Sequence, residues 1–183
     1  MNEEHLHRLR YEPDTWNAWR RERPEIRPDL SGAALNSLAS RSTLSRHNSF
    51  FSRFEQRSFD GINLQNADLR GSKIWVSDLS RADLSNADMR KAEIRRSQLT
   101  SADLRGADLR DTQFLATTLS GTHLDKAIFG GTHLGFTPLA SVEGLDQVEH
   151  RKPSYIDQFS IIKSTPVPIA FLRACGGPSK QFG

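Results

Sequence analysis

The chain has 183 residues, 26% charged and 36% hydrophobic, an ordinary core supply that fits one soluble domain with sizeable flanks. Its formal charge of +3 is spread thinly: residues 1–58 carry ten basic and eight acidic side chains, residues 59–134 ten of each, and residues 135–183 five and four. That balance gives no region the charge of a basic nucleic-acid footprint and disfavours an acidic imitation of DNA.

Residues 1–27 read as a helical cap. Asp14 can cap a short helix through Arg20 that ends before Pro24, and Leu6, Leu9, Trp16 and Trp19 supply an apolar face. The stretch Pro28-Asp-Leu-Ser-Gly-Ala-Ala-Leu contains two five-residue units centred on Leu30 and Leu35, one residue out of frame with the series that begins at Phe59. Residues 36–53, rich in Ser, Arg and Asn and containing Phe50 and Phe51, interrupt them, so 28–58 reads as irregular first repeats with an insertion.

From Phe59 to Leu134, every fifth residue is large and apolar, sixteen times in succession: among them Leu64, Leu69, Leu79, Leu84, Leu99, Leu104, Leu109, Leu119 and Leu124. Two residues earlier, from Ala67 to Thr132, every side chain is Ala, Ser or Thr. On an α-helix five residues rotate by ~140°, which scatters such a series around the axis. On a flat strand an odd step sends successive members to opposite faces. Only a chain that turns after every five residues buries them all. It winds into stacked coils whose backbones pair at ~4.8 Å, with the small residue letting the next coil approach.

Segments such as Ala67-Asp-Leu-Arg-Gly, Ala82-Asp-Leu-Ser-Asn, Ala102-Asp-Leu-Arg-Gly and Ala107-Asp-Leu-Arg-Asp resemble the A(D/N)LXX pentapeptide-repeat family. The resemblance implies an all-β fold, a right-handed quadrilateral β-helix with four repeats per coil, over 59–136. Solenoids need covered ends, which assigns 1–27 to an N-terminal helical cap and 137–183, where short apolar runs alternate with prolines, to an irregular C-terminal cap or linker. The flanks, notably Trp16-Asn-Ala-Trp-Arg and Phe171-Leu-Arg-Ala-Cys-Gly, are similar to those of bacterial multidomain pentapeptide-repeat signalling proteins. In those an effector domain comes after the repeats, whereas this sequence stops at Gly183. The single cysteine, Cys175, reads as a small buried side chain in a reducing compartment. With no secretory h-region and no stretch near the ~20 apolar residues that span a bilayer, the expected location is cytoplasmic, with no membrane partner.

Chemistry is absent from the pattern. His123 and His133 lie two sides apart on a four-sided coil, His5 and His7 do not face each other on a helix, and no phosphate loop, nucleophile elbow or CxxC occurs. No catalytic, metal or cofactor residue is expected, and the protein is read as a non-enzyme. The repeated aspartates read as hydrogen-bonding turn amides or pairing with arginines.

Residues twenty apart stack. Arg70, Arg90 and Arg110 form a basic column beside Lys91 and near Asp68, Asp88 and Asp108, expected as a solvated charge ladder in preference to an anion-binding stripe. A second column carries Trp75 and Val76, then Arg95 and Arg96, then Leu115 and Ala116, with Phe136 at its end. Outward positions are normally polar, so this column expects either a covering flank or a protein partner, with Trp75 and the arginine pair as anchors. The expected function is a non-catalytic interaction scaffold or sensor module, able to dimerise through an end of the solenoid, with direct nucleic-acid binding not expected. The alternative implied by the family is a DNA mimic that protects a type II topoisomerase, DNA gyrase.

Overall fold

In a computed structural model, described for residues 1–10, 12–35, 57–164 and 166–176, the five-residue period builds a β-solenoid. All sixteen members of the apolar series point inward and none is more than 2% exposed; the small residues between Ala67 and Thr132 are equally enclosed. Coils stack in parallel with a twenty-residue register: Asn63 pairs with Asp83, Asp83 with Asp103, and Asp103 with His123. Each bridge is a reciprocal pair of backbone bonds, as where Leu84 N–H donates to Asp103 O at 2.8 Å and Asp103 N–H donates to Ala82 O at 2.9 Å.

The four sides differ. On the strand side, β2 (Lys73–Trp75), β4 (Glu93–Arg95), β5 (Gln113–Leu115), β7 (His133–Gly135) and β9 (Tyr155–Ile156) form one five-stranded parallel sheet. Shorter pairings serve the others: β1 (Arg57–Ser58) with β3 (Ser77–Asp78), β6 (Ile128–Phe129) with β8 (Glu149–His150), and single bridges elsewhere. Turning the chain every five residues requires a positive φ at each corner. From Gly61 to Ser141 every fifth residue has one, glycine or not.

The parallel pairing runs on past Leu134. Leu139 and Leu145 are buried, Glu143 pairs with His123, β8 with β6, and β9 with β7, so residues up to Ile156 complete a further, irregular coil. The sequence pattern fails there because Gly144 takes the corner and Leu145 replaces the expected axis residue one place late. Helices α3 (Gln158–Ile162) and α4 (Ile169–Ala174) come next, and Phe171 of α4 packs on Phe129, 5.8 Å between ring centres. Cys175 is buried there, its thiol pushed up to about 12 by burial, as expected for an inert side chain.

At the other end Leu30 and Leu35 stack on Leu69 and Ile74 through bridges Asp29–Asp68 and Ala34–Lys73. The frame slip has a plain cause: the next side resumes at Phe59, 24 residues after Leu35 where five would do. The inserted stretch, with Phe50, Phe51 and Phe54, lies outside the described residues. Helices α1 (Glu3–Arg8) and α2 (Pro13–Glu22) close this end. Helix α2 begins at Pro13, a residue pre-set for the first turn, with Glu12 rather than Asp14 at the cap position. Asn17 pairs with the open edge as a strand would, donating to Gly61 O at 2.9 Å and accepting from Asn63 N–H at 2.7 Å. Trp16 donates its indole N–H to Asn63 O, and the buried Arg20 donates to the carbonyls of Arg23, Ile26 and Gln65. His5 accepts Asp29 N–H on Nδ1 at 3.0 Å. These side chains satisfy edge groups that would otherwise template another strand. No described helix is long and apolar enough to cross a membrane.

Candidate functional site

The strand side has two edges, and both predicted columns lie along it. The leading corner (Gly71, Lys91, Asp111, Gly131) adjoins the arginine column. The trailing corner (Val76, Arg96, Ala116, Phe136) adjoins Trp75, Arg95 and Leu115.

At the leading corner the turn closes by a backbone bond, as where Ala92 N–H donates to Met89 O at 2.9 Å. The aspartates before Leu69, Met89 and Leu109 cap their own turns and grip an arginine two residues on. Asp68, Asp88 and Asp108 each receive Nε of Arg70, Arg90 and Arg110 at 2.8 Å on Oδ1 and Nη2 at 2.6–2.7 Å on Oδ2. The rungs also touch each other: Arg70 Nε lies 3.7 Å from Asp88 and Arg90 Nε 3.5 Å from Asp108. The Arg70 side-chain hydrogen bond holds Asp68 below the usual carboxylate range. At Asp88 and Asp108 burial pushes upward, yet hydrogen bonds from Arg90 and Arg110 outweigh it and leave both lowered. The basic column is therefore a ladder of preorganised arginine–aspartate pairs.

At the trailing corner the closing backbone bond gives way to a hydroxyl ladder. Ser77 N–H donates to Ser97 Oγ at 3.2 Å, Thr117 N–H to Thr137 Oγ1 at 3.3 Å, and Thr137 N–H to Ser160 Oγ at 2.8 Å. In turn Ser97 and Thr117 donate to the carbonyls of Ile74 and Ile94, one coil away. The outward residues are unusual for a corner. Val76, Arg96, Ala116 and Phe136 have φ between 49° and 52°, a region that penalises a β-branched or bulky side chain. Every other corner position from Gly61 to Ser141 is Gly, Asn, Ser, Asp, Lys or Arg.

On the adjoining strands Trp75 is half-buried beneath two cations, Arg95 at 5.5 Å and Lys73 at 5.8 Å from its ring. Arg95 also pairs with Glu93 at 3.1 Å, while Arg96 is exposed with no ion pair among the described residues. Toward the C-terminal end the surface becomes frankly apolar: Leu115 is 37% exposed, Phe136 59%, Phe159 43% and Ile162 60%. The C-terminal flank reaches this column through Asp157, which accepts the Phe136 N–H at 2.7 Å, and through α3, where Phe159 meets Phe136 with 5.6 Å between ring centres. That contact lengthens the apolar strip without hiding it. The sequence pattern marks Trp75 to Leu115 but not Phe159 and Ile162, because their approach depends on the irregular last coil.

No group of three or more His, Cys, Asp or Glu side chains suited to a metal occurs among the described residues. His123 and His133 stand on opposite sides, as their spacing requires.

A search of curated proteins finds no match. Among solved structures the chain is similar to QnrB1, a plasmid-mediated fluoroquinolone resistance protein, at 22% identity, covering 55% of this chain and 58% of that one, TM-score 0.34. It is also similar to the pentapeptide repeat protein Rfr23 from the cyanobacterium Cyanothece 51142, at 19% identity, covering 72% and 82%, TM-score 0.29. A third likeness is to alr5209, a pentapeptide repeat protein from Nostoc PCC 7120, at 36% identity, covering 41% and 70%, TM-score 0.22. This chain thus spans little more than half the length of the QnrB1 structure it matches. The sequence profile of pentapeptide repeats matches eight copies, over residues 62–99, 77–114 and 97–135. With sixteen inward-facing apolar side chains at five-residue steps, the repeat region of this chain belongs to the pentapeptide-repeat family.

Proposed function

We propose that the protein is a non-catalytic interaction module that holds a partner protein along the trailing corner of its strand side. The observation that carries this reading is the chemistry of the corners. Among those from Gly61 to Ser141, only the trailing column places apolar side chains at positive φ, and it keeps Phe136 exposed beside the exposed Phe159. Backbone strain and exposed apolar area both cost stability, and a soluble rod has no use for either unless something binds there. Trp75 and the Arg95–Arg96 pair supply the aromatic and guanidinium anchors that dominate interface energetics. Helical caps at both ends direct a partner to a side of the rod rather than an end.

Incorporating a photo-crosslinking amino acid at position 136 and, as control, at position 126 on a polar corner tests this in the source cell. A discrete adduct from 136 and none from 126 is expected; identical adduct patterns from both positions sink the reading.

The gyrase-protecting alternative stands second. A DNA mimic presents unpaired acids in imitation of phosphates, and here Asp68, Asp88, Asp103 and Asp108 are each bound by an arginine. Stoichiometric protection of purified gyrase in a supercoiling assay would reverse the order.

A further inference from the structure

The leading corner opens onto a groove of about 610 Å³ whose wall carries Arg70, Arg90, Lys91, Arg110, Arg151 and Lys152, with Asp111 as the one acid lining it. The arginine side chains stand 39–52% exposed, while the aspartates that bind them are 11–19% exposed. Positive charge therefore faces the groove and its counter-charge sits behind. Each aspartate occupies Nε and Nη2, so Nη1 of all three arginines is without a hydrogen-bond partner among the described residues. Lys91, on the corner at φ 60°, has no ion pair among them.

The far end of the groove is made by the last coil, which brings Arg151, paired with Glu149 at 2.8 Å, and Lys152, which crosses to Asp111 at 2.6 Å. That crossing depends on Gly131. A Cβ there would lie 2.6 Å from Lys152 Cε and 2.6 Å from Asp111 Oδ1. The glycine pair Gly130-Gly131 thus makes room for a cation supplied from two coils' distance in sequence.

We propose that this groove binds a linear oligophosphate, free or as the tail of a nucleotide. Its three guanidinium rungs repeat at the coil spacing of ~4.8 Å and are locked in direction before any ligand arrives, which removes part of the ordering cost of binding. A guanidinium suits phosphate oxygens, and Lys91 adds a flexible point charge at the rim, while Lys152 is held by Asp111. A chain of linked phosphates engages several rungs at once, where a single small anion meets one. No aromatic side chain lines the groove, so it offers nothing on which the bases of a nucleic-acid strand could stack. This proposal is independent of the trailing corner and of whatever binds there.

Calorimetric titration of the full chain with inorganic tripolyphosphate, orthophosphate, adenosine triphosphate and a triglutamate peptide decides it. Tripolyphosphate should bind at least about tenfold tighter than orthophosphate, with affinity falling as salt rises. Lys91→Asn removes one charge while keeping a residue at ease with positive φ, and should weaken tripolyphosphate about tenfold. Lys126→Asn, the matching change at a corner of another side, should leave it unchanged. Adenosine triphosphate binding as tightly as tripolyphosphate would show that a nucleotide can supply the chain, and its failure beside tripolyphosphate binding would mark the free form; either supports the site. Absence of tripolyphosphate binding, equal loss in both lysine variants, or triglutamate binding as tight as tripolyphosphate would overturn the proposal.

Discussion

Two edges of one sheet, separated by three residues of strand, obey different rules. The leading corner (Gly71, Lys91, Asp111, Gly131) adopts φ of 58–69°, closes with backbone bonds at Gly71, Lys91 and Asp111, and lies beside paired arginines. The trailing corner (Val76, Arg96, Ala116, Phe136) closes through Ser and Thr hydroxyls, adopts φ of 49–52°, and turns apolar side chains outward. The backbone step is the same five residues at both. What differs is which group satisfies the buried amide, and with it the kind of side chain the outside of the corner carries. A repeat fold can thus keep a uniform axis while each side takes its own chemistry.

The most drastic way to break the comparison is to remove what the edges share. Ile94 lies fully buried between them, so Ile94→Asp places a charge on the axis and should abolish the cooperative melt of the whole rod; a folded, cooperatively melting variant would deny that the series is a core. Next come the closing groups. Thr137→Val removes the acceptor of the buried Thr117 N–H and should cost about 1–3 kcal/mol in urea unfolding. Thr112→Val at the leading corner removes only a donor to Met89 O, which Ala92 N–H also serves, and should cost about 0.5–1.5 kcal/mol. Equal costs would mean that the two corners close alike. Smaller still, Val76→Asn replaces a β-branched residue at φ 52° with one that tolerates it and should raise stability by roughly 0.5–1 kcal/mol, read as a higher melting temperature. A fall would show that Val76 is held there for packing.

The leading edge is readable in the sequence and the trailing edge only partly so. Asp and Arg recur at fixed offsets around Leu69, Met89 and Leu109, and a guanidinium two residues from a turn-capping aspartate has little choice of partner. The switch in closure is also written there, as Ser77, Ser97, Thr117 and Thr137 on one side against Ala67, Ala87, Ala107 and Ala127 on another, but its meaning needs the stacked geometry. The axis itself is legible because a period of five has one way to bury every member. The last coil is not, since a single late residue at Leu145 and an extra residue before Tyr155 break the step that pattern-reading depends on. Arg151, Lys152, Phe159 and Ile162 all reach their places through that coil, so the pattern shows both candidate surfaces without their C-terminal halves.

Central to the account is that the trailing corner's apolar surface serves a partner and not the fold. Urea unfolding of Phe136→Asn, a residue at ease with φ 49°, measures this most directly. The stability should stay within about 1 kcal/mol of the parent, as for an exposed side chain. A loss of about 3 kcal/mol or more, the size of a core truncation, would make Phe136 part of the protein's own interior and contradict the assignment.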